Sequence, residues 1–564
     1  MKKTVLRILT VTAISSLLAC GGDNSPFVPT TSASATVQSA QQDNPELALR
    51  ILPLDHLDRM DNYQSKAAGL AAKSLALEPA AISGTATSAT INDLETAYET
   101  MFCQLNAQHQ VTMQAPECQA NISYISQQSG TGFFNLNNKP ILNNPLGVTG
   151  ILFQPVTYST QVTLPQGTQT YQVSGGMIMP QGITGAQIKG VVVYFHATQF
   201  NKSVVGSNYT NNGETRLTAQ VFASQGYIVI TPDYVGQGID WQNVHPYVLY
   251  PQVSAKAAVD MLSAVAPLIK AQYNLGNSAT LKLFSAGYSE GGAYSIWFTP
   301  YIYSNPGILD SLYQLKHSVG MEGAYNTSQV TKGFLFDDVS TAGGNPYNIQ
   351  TQVVTNLVKP LLSADAFLSY ATYQLNGDVA AVFNPKFYNL DCTWPVPQSL
   401  CNVNGQQIAM AAAFAQQAAS PASQVLFSAL RKSANGATYP ADLVLSTKNS
   451  VDSLVSSTFL SDSSQAQLDA ALRAADVNLS QVPDNSVSII SLDKDSVVIP
   501  NNYTALLAAY PGKIRFSYLL PENKFQVVSP FSYIIGKIPV YVSVDHMQAP
   551  AYEFLYALNI FNQY

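Results

Sequence analysis

A serine set between glycines, in Gly287-Tyr-Ser-Glu-Gly291, is the segment of the chain best suited to nucleophilic chemistry. The residues before it, Leu281–Gly287, read as a buried strand, and a helix-like run follows. A turn this tight leaves no room for large side chains two residues either side of the serine, and the glycines remove that clash. The turn would leave Ser289 Oγ exposed at the end of a sheet. The motif therefore predicts an acyl-transfer site at Ser289.

Strands and helices alternate around this motif. Ile188–His196 and Tyr227–Asp233 are near-continuous apolar runs, which are typical of strands covered on both faces. Helices are predicted over Thr215–Ser224 and Val253–Tyr273, and a further strand over Ser318–Gly323. This alternation predicts an α/β fold with a mostly parallel central sheet and helices on both faces.

Two regions depart from the alternation. Gly147–Tyr171 alternates apolar with polar residues, which predicts antiparallel strands at a sheet edge. Tyr325–Asp484 is largely helical in pattern and rich in Ala, Gln and Ser, and it would lie over the carboxyl ends of the strands, where α/β sheets bind ligands. We interpret it as a helical cap. Strand patterns return at Val487–Leu492 and Val540–Val544, and a helix over Ala551–Phe561 closes the chain.

Five spaced motifs in this chain resemble the α/β-hydrolase superfamily. They are Phe195-His-Ala-Thr-Gln199, Thr231-Pro-Asp-Tyr-Val-Gly-Gln-Gly238, Gly287-Tyr-Ser-Glu-Gly-Gly292, Asp493-Lys-Asp-Ser-Val-Val498 and Asp545-His546. The second and third are similar to segments of secreted lipases and esterases that carry a large helical cap. The resemblance covers about residues 170–325 and 487–561. It implies the α/β-hydrolase fold and a triad in the chain order serine, acid, histidine.

That order restricts the choice of the base. Of the six histidines, only His317 and His546 follow Ser289. His317 lies at the start of a predicted strand, which is the wrong end of the sheet for catalysis. The only aspartate between it and the serine, as a candidate acid, is Asp310. His546 follows a predicted strand by two residues and lies just before the last helix. We predict that His546 is the base.

The acid is expected in the loop after Val487–Leu492, where Asp493 and Asp495 are both available. Asp495-Ser-Val-Val resembles the run that follows the catalytic acid in many α/β-hydrolases. We therefore prefer Asp495 and keep Asp493 as the alternative. Asp545 would point away from the working edge of the neighbouring imidazole and is given little weight.

An oxyanion hole needs two backbone N–H groups. One is expected from Glu290, which follows the nucleophile at a helix start. The resemblance places the other in the loop after His196, on Ala197 or Thr198. Alanine here replaces the usual glycine, and His196 itself is interpreted as a structural residue of the loop.

The N-terminus carries a signal for export. Met1–Arg7 is basic, and Ile8–Ala19 is apolar but too short to span a bilayer. Leu17-Leu-Ala-Cys20 resembles the lipobox of bacterial lipoproteins, which implies that Cys20 is lipidated; an ordinary signal peptide is the alternative. Gly-Gly-Asp after the cysteine favours an outer-membrane lipoprotein of the cell envelope, facing the periplasm or the exterior.

Four further cysteines are an even number for an oxidising compartment. The simplest pairing joins Cys103 with Cys118 and Cys392 with Cys401, and four free buried thiols are the alternative. No spacing resembles a metal set, so we predict neither a metal nor a cofactor. The net charge of −7 argues against a nucleic-acid partner.

These patterns divide the chain into six segments. They are a signal peptide over 1–19, a lipidated tether over 20–44, an N-terminal extension over 45–169, a first core segment over 170–325, the helical cap over 326–485 and a second core segment over 486–564.

The leading hypothesis for function is a serine carboxylic-ester hydrolase, a lipase or esterase acting on lipid or small-molecule esters. The cap is apolar and poor in charge, which suits acyl chains. A serine peptidase of the aminopeptidase kind is the first alternative, because the fold hosts both activities. A surface lipoprotein that only binds its ligand is the second.

Overall fold

The computed structural model describes residues 80–99, 146–199, 202, 204–241, 243–335, 359–378, 381–382, 459, 462–521, 526–528, 541–543, 546 and 549–564. Its strands are β1 (Ala81–Ile82), β2 (Thr87–Thr90), β3 (Gly150–Leu164), β4 (Gly167–Gln181), β5 (Gly190–Phe195), β6 (Tyr227–Pro232), β7 (Leu281–Tyr288), β8 (Tyr313–Met321), β9 (Val487–Leu492), β10 (Ile514–Leu520), β11 (Gln526–Val528) and β12 (Tyr541–Ser543). Its α-helices are α1 (Ile91–Glu99), α2 (Gly213–Val221), α3 (Pro251–Gln272), α4 (Glu290–Ser304), α5 (Lys332–Leu335), α6 (Lys359–Gln374), α7 (Asp462–Ala475), α8 (Asn501–Ala509) and α9 (Pro550–Phe561).

One large sheet organises the described part of the chain. Ten strands pair in the order β1-β3-β4-β6-β5-β7-β8-β9-β10, with β2 also joined to β3. From β6 to β10 every neighbouring pair is parallel. From β1 to β6 the pairs are antiparallel. The mostly parallel sheet predicted from the alternating pattern is confirmed, and its antiparallel edge begins with the hairpin of β3 and β4.

That hairpin crosses the boundary drawn at residues 169 and 170. β3 and β4 pair along their whole length, from Gly150 opposite Gln181 to Leu164 opposite Gly167. Residues assigned to the N-terminal extension therefore belong to the same sheet as the first core segment. The alternating pattern of Gly147–Tyr171 belongs to antiparallel strands near one edge of the sheet, where the short strands β1 and β2 pair with the outer side of β3.

The side chains of β5 show how the sheet is covered on both faces. Val191, Val193 and Phe195 are buried in the cluster that contains α3 and part of α4. Val192 and Tyr194 are buried in the cluster that contains α2 and α9. Because successive side chains of a strand point to opposite faces, a run that is apolar throughout needs a helical layer on each side.

The last helix, α9, is buried along almost its whole length and closes one face of the sheet. The Phe561 ring lies 4.6 Å from the Phe284 ring of β7, and the Phe554 ring stacks at 5.5 Å on Phe222. The Tyr98 hydroxyl of α1 donates to the Ala551 carbonyl at 2.6 Å. The C-terminal helix is thus fixed by residues from three distant parts of the sequence.

Two expectations have a different or an incomplete outcome. The strand predicted over Val540–Val544 is described over Tyr541–Ser543, and it pairs antiparallel with β11 in a separate two-stranded sheet. Residue composition predicts a strand but does not specify its partner. Of the predicted cap, helices α5, α6 and α7 are described, whereas residues 383–458 and both predicted disulfides lie outside the described residues.

The contact between α4 and β8 is close enough that residue 320 has to be a glycine, which carries no side chain. A Cβ there would lie 2.5 Å from the Tyr325 hydroxyl, 2.6 Å from Ile296 Cγ1 and 2.8 Å from the Gly292 carbonyl oxygen. We expect Gly320→Ala to lower the free energy of unfolding by about 1–3 kcal/mol, because backbone and side chains must both shift. Chemical denaturation measures the loss.

Gly512→Ala is the matched control, since a Cβ at Gly512 would meet nothing within 4 Å. Its effect should stay within about 0.5 kcal/mol. Equal stabilities of the two variants would contradict the close packing of α4 on β8.

Candidate active site

The turn between β7 and α4 holds Ser289 in a strained backbone conformation. Its φ is +56° and its ψ is −119°, outside the backbone regions that residues other than glycine usually occupy. The Ser289 N–H donates to the Met321 carbonyl of β8 at 2.9 Å. A Cβ at Gly287 would lie 2.0 Å from the Gly291 carbonyl oxygen, and one at Gly291 would lie 2.0 Å from the Phe195 carbonyl oxygen. Both glycines of the motif are therefore required by the close approach of backbone.

Three of the residues singled out in the sequence meet at this turn. Nε2 of His546 lies 2.9 Å from Ser289 Oγ, and Nδ1 of the same ring lies 2.5 Å from Asp495 Oδ2. The residues are 6%, 5% and 2% exposed for the serine, the histidine and the aspartate. Both distances are within the range of a nucleophile–base and a base–acid hydrogen bond. The arrangement can take a proton from the serine and stabilise the charge that forms on the imidazole.

The Asp495 carboxylate is held by its own loop. Oδ1 accepts the N–H groups of Val497 at 2.6 Å and Val498 at 2.8 Å, which leaves Oδ2 directed to His546. Asp493, the alternative acid, is only partly buried, and its N–H donates to the Leu520 carbonyl at 2.8 Å. Asp545 lies outside the described residues. Of the two aspartates that the sequence offered, Asp495 is the one in contact with the His546 ring.

His546 is also held by the residue that precedes Ser289. The Tyr288 hydroxyl, from the residue before Ser289, donates to the His546 carbonyl oxygen, and the two rings lie 5.2 Å apart.

His317, the other histidine downstream of the serine, contacts Ser488 Oγ at 2.7 Å and the Tyr564 hydroxyl at 2.5 Å. Burial lowers the pKa of His317 to about 3, so this residue is a neutral part of the core.

The loop after β5 presents two N–H groups, and their situations differ. The Ala197 N–H donates to the Glu214 carboxyl, at 3.0 Å to Oε1 and 3.2 Å to Oε2. None of the described residues accepts from the Thr198 N–H, and the Thr198 hydroxyl donates to that of Tyr247 at 3.2 Å. Of the two donors predicted for this loop, Ala197 is already engaged.

Glu214 was not predicted from the sequence. Besides Ala197, its carboxyl accepts the Tyr194 hydroxyl and, at 3.3 Å, the amide of Gln199. Burial raises its pKa to about 7 although these donors favour the charged form. A glutamate at the start of a helix carries no signal that it reaches a loop 15 to 17 residues earlier in the chain.

Glu290, the residue after the nucleophile, is anchored through its side chain. Its Oε1 lies 2.6 Å from His245 Nε2 and accepts the Tyr294 hydroxyl at 2.7 Å. The backbone N–H of Glu290 is at the first position of α4, where no carbonyl of the same helix is available to it. This N–H therefore stands beside Ser289 as a donor for an external oxygen.

Tyr234 connects the loop that contains His196 with His245, the partner of Glu290. Its ring stacks on His196 at 4.0 Å and on His245 at 5.1 Å, and its hydroxyl donates to the His196 carbonyl at 2.7 Å. His196 Nδ1 lies 2.7 Å from the Ala197 carbonyl, and burial lowers the pKa of His196 to about 4. The ring is therefore neutral and has a structural role in the loop. The Pro-Asp-Tyr segment noted in the sequence supplies this connection.

A small apolar pocket opens beside Ser289 and Glu290. Its volume is about 30 Å³, which is room for about two water-sized groups. Its walls are mostly apolar side chains from the loop before α3, from the predicted cap and from the loop that carries Asp495. They include Tyr247, Val248, Phe334, Leu362, Val497 and Ile499. Such a surface suits a short hydrocarbon group attached to a reacting carbonyl.

Several other predictions concern residues that the structure does not describe. Cys20, Cys103, Cys118, Cys392 and Cys401 all lie outside the described ranges. Across the described ranges, no three acidic, histidine or cysteine side chains are arranged to hold a metal ion. In the same part of the chain, no helix has both the length and the apolar character that crossing a bilayer requires.

Comparison with known proteins gives structural similarity at low sequence identity. No family model and no curated protein matches the chain. A protein from Legionella pneumophila described as a candidate hydrolase has a similar structure, with a TM-score of 0.53 and 16% identity, covering 86% of this chain and 98% of that one.

Two further similar structures have lower scores. The ligand-bound form of LipA from Xanthomonas oryzae, described as a rice cell wall degrading esterase, gives a TM-score of 0.48 at 17% identity, covering 74% of this chain and 91% of that one. Lipase A from Candida antarctica gives 0.40 at 14% identity, covering 65% and 72%. With the sheet order and the turn at Ser289, the similarity to the Legionella structure establishes that this chain has the α/β-hydrolase fold.

Proposed function

We propose that the protein is a serine carboxylic-ester hydrolase that acts through an acyl-enzyme. The observation that carries the proposal is the continuous contact from Ser289 Oγ through His546 to Asp495, with distances of 2.9 Å and 2.5 Å. A serine, a neutral imidazole and a buried carboxylate in this order make up the arrangement that activates a hydroxyl for attack.

In the first half of the reaction, Ser289 Oγ attacks the ester carbonyl carbon while His546 Nε2 takes the hydroxyl proton. The carbonyl oxygen becomes an oxyanion, and we assign the Glu290 N–H and the Thr198 N–H as its donors. Asp495 stabilises the imidazolium. The tetrahedral species then breaks its bond to the leaving oxygen, which takes the proton from His546 and departs as an alcohol.

In the second half, water attacks the acyl-enzyme as His546 takes its proton. The new tetrahedral species expels Ser289 Oγ, which recovers that proton, and a carboxylic acid leaves. Each proton moves between Nε2 and an oxygen, so the imidazole ends each half-reaction in its starting state. The Ala197 N–H joins the oxyanion hole only if Glu214 releases it, which is why Thr198 is preferred here.

An ester is favoured over a peptide because of the pocket beside the serine. Among the described residues, its lining is mostly apolar, and its one carboxyl group is that of Glu290, which is already bound to His245 and Tyr294. Turnover of aminoacyl anilides without turnover of p-nitrophenyl butyrate would establish the peptidase alternative instead.

Three substitutions test the assigned roles. We expect Ser289→Ala to lower kcat for p-nitrophenyl butyrate by at least about 10³-fold, since it removes the nucleophile, and to abolish labelling by a fluorophosphonate. Asp495→Asn should lower kcat by about 10³–10⁴-fold, because the imidazole loses its orienting carboxylate. His546→Ala should resemble the serine variant.

Matched controls are available for two of these residues. Ser285→Ala removes another buried serine of β7, and Asp493→Asn alters the neighbouring aspartate. Both should retain kcat within about threefold. If Asp493→Asn were the more damaging of the two aspartate changes, Asp495 would not be the acid, and a fluorophosphonate adduct that persists in Ser289→Ala would remove the serine from its role.

The size of the pocket predicts a preference for short acyl groups. In a series of p-nitrophenyl esters, kcat/KM should be highest for acetate to butyrate and fall for octanoate. Phe334→Ala enlarges the pocket and should raise the octanoate-to-butyrate ratio by about tenfold, as expected for changed room in an apolar pocket. Phe298→Ala, which removes a buried ring of α4 outside the pocket, should leave that ratio within about twofold. A ratio equally changed in both variants would contradict the assignment of the pocket to the acyl group.

Attachment to the membrane is a separate proposal that rests on the sequence around Cys20. Cells expressing the full chain with radiolabelled palmitate should yield a labelled protein in the membrane fraction, and Cys20→Ser should lose the label. Label retained by Cys20→Ser would contradict lipidation at this residue. The substitution should leave the specific activity of the extracted enzyme unchanged, because residue 20 precedes the fold.

A further inference from the structure

Three buried carboxyl groups lie together behind His546. Glu322 follows β8, Asp495 follows β9 and Glu553 belongs to α9, and the three are 1%, 2% and 0% exposed. The Glu322 carboxyl lies close enough to both of the others for each of them to raise its pKa. Only Asp495 has a role in the reaction described above. A protein rarely buries two further carboxyl groups without use for them, because each is costly to remove from water.

Glu322 is held firmly and at some cost in backbone energy. Its φ is +48°, and its N–H donates to the Ile490 carbonyl of β9 at 3.0 Å. Its Oε2 accepts the Ser491 hydroxyl at 2.8 Å, and its Oε1 accepts the Leu492 N–H. The carboxyl is thus fixed at the carboxyl end of β9, immediately before the loop that carries Asp495.

Glu553 is placed differently, because within the described part of the chain no N–H or O–H group donates to either of its oxygens. Its polar contact is with the Glu322 carboxyl. Two carboxyl groups attract each other only when a proton lies between them. The contact therefore requires that at least one of this pair is protonated.

The contacts of the three carboxyl groups differ. Asp495 accepts two backbone N–H groups and the imidazole N–H. Burial raises the pKa of Glu322 well above its usual range, and burial raises the pKa of Glu553 to about 8. Among the described residues, other titratable groups that face the cluster are His546, whose charge lowers the pKa of Glu553, and Tyr325, whose own pKa burial raises well above its usual range. Burial therefore favours the protonated form of both glutamates.

We propose that Glu322 and Glu553 are positioning residues of the active site: the protonated Glu322 carboxyl donates to Asp495, and Glu553 keeps that proton in place. Asp495 then has donors on three sides, and its remaining direction is toward His546. The proposal rests on the role assigned above to the Ser289, His546 and Asp495 set. It assigns to the two glutamates no contact with substrate.

The first arm of the test compares two variants of Glu322. Glu322→Leu keeps the bulk and removes the donor, so kcat for p-nitrophenyl butyrate should fall by about 10–100-fold with KM changed less than about twofold. Glu322→Gln keeps a donor toward Asp495 and should restore kcat to within about fivefold of the wild type. The same order should appear in the rate at which a fluorophosphonate labels Ser289, which reports on activation of the serine without ester turnover.

The second arm measures the protons directly through stability. A glutamate with a folded-state pKa near 8 and an unfolded one near 4.3 contributes stability that is complete below about pH 4 and is lost as pH rises through 8. Glu553→Gln removes this dependence. The Tm of Glu553→Gln minus that of the wild type should therefore rise by about 2 °C between pH 6 and pH 9, and the same sign is expected for Glu322→Gln.

Asp260→Asn serves as the control for both arms. Asp260 is a buried carboxylate of α3 that is paired with Lys256 and with the Thr160 hydroxyl at 2.8 Å. Its substitution should lower Tm at all pH values, leave kcat unchanged and leave the change in Tm between pH 6 and pH 9 as in the wild type.

Two results would overturn the proposal. One is a Glu322→Leu variant that folds and keeps the wild-type kcat and labelling rate. The other is a pair of glutamine variants whose Tm follows pH as the wild type does, which would mean that the cluster holds no extra protons. Absence of ester turnover in every variant, together with the expected Tm changes and labelling rates, would contradict the proposed substrate class and leave the carboxyl cluster supported.

Discussion

The backbone approach between α4 and the ends of β5 and β7 is the constraint on which the site depends. At Gly291 the helix comes so near to the Phe195 carbonyl that a methyl group would lie 2.0 Å from its oxygen. This approach sets the helix start, with its free N–H, directly against the loop that carries Ala197 and Thr198. Ser289, in the same turn, has a positive φ. Ser289, the two N–H groups of the proposed oxyanion hole and the entrance of the pocket therefore all lie beside one contact between main chains.

A second feature is the set of buried hydrogen bonds that glutamate side chains form beneath this contact. Glu290 is bound to His245 and Tyr294, and Glu214 is bound to Ala197 and Tyr194. Networks of this kind are specific in geometry, because any unmatched donor or acceptor in a low-dielectric interior is costly. They fix the loop and the helix start without adding apolar bulk near the reacting atoms. The site is thus rigid below the serine and apolar above it.

Sequence patterns predicted the fold and the approximate place of the site for reasons that are local. Runs such as Gly190–Phe195 are apolar at every position because both faces of the sheet are covered, and the glycines around Ser289 mark a turn that no other residue fits. The α/β class is confirmed, and the structure brings Ser289, Asp495 and His546 together. Position in the sequence did not separate Asp493 from Asp495, which was preferred on a resemblance, because the choice depends on how one loop turns.

The contacts that the sequence did not predict join residues that are far apart in the chain. Glu553 meets Glu322, and Glu214 meets Ala197, through strand pairing and helix packing that no local pattern records. The one available signal was Glu322 itself, an acidic residue directly after a buried strand, at the end of the sheet where sites form. The separate pairing of β12 with β11 is of the same kind, since the strand was visible and its partner was not.

The distance along the sequence between the two central residues has a consequence for biogenesis. Ser289 and His546 are 257 positions apart, and the histidine is held next to the last helix of the chain. During synthesis, which proceeds from the N-terminus, the Ser289 turn emerges long before His546. Under the proposed mechanism, the serine of a nascent chain is not activated until His546 has reached it. Catalytic competence would then be a late event in folding.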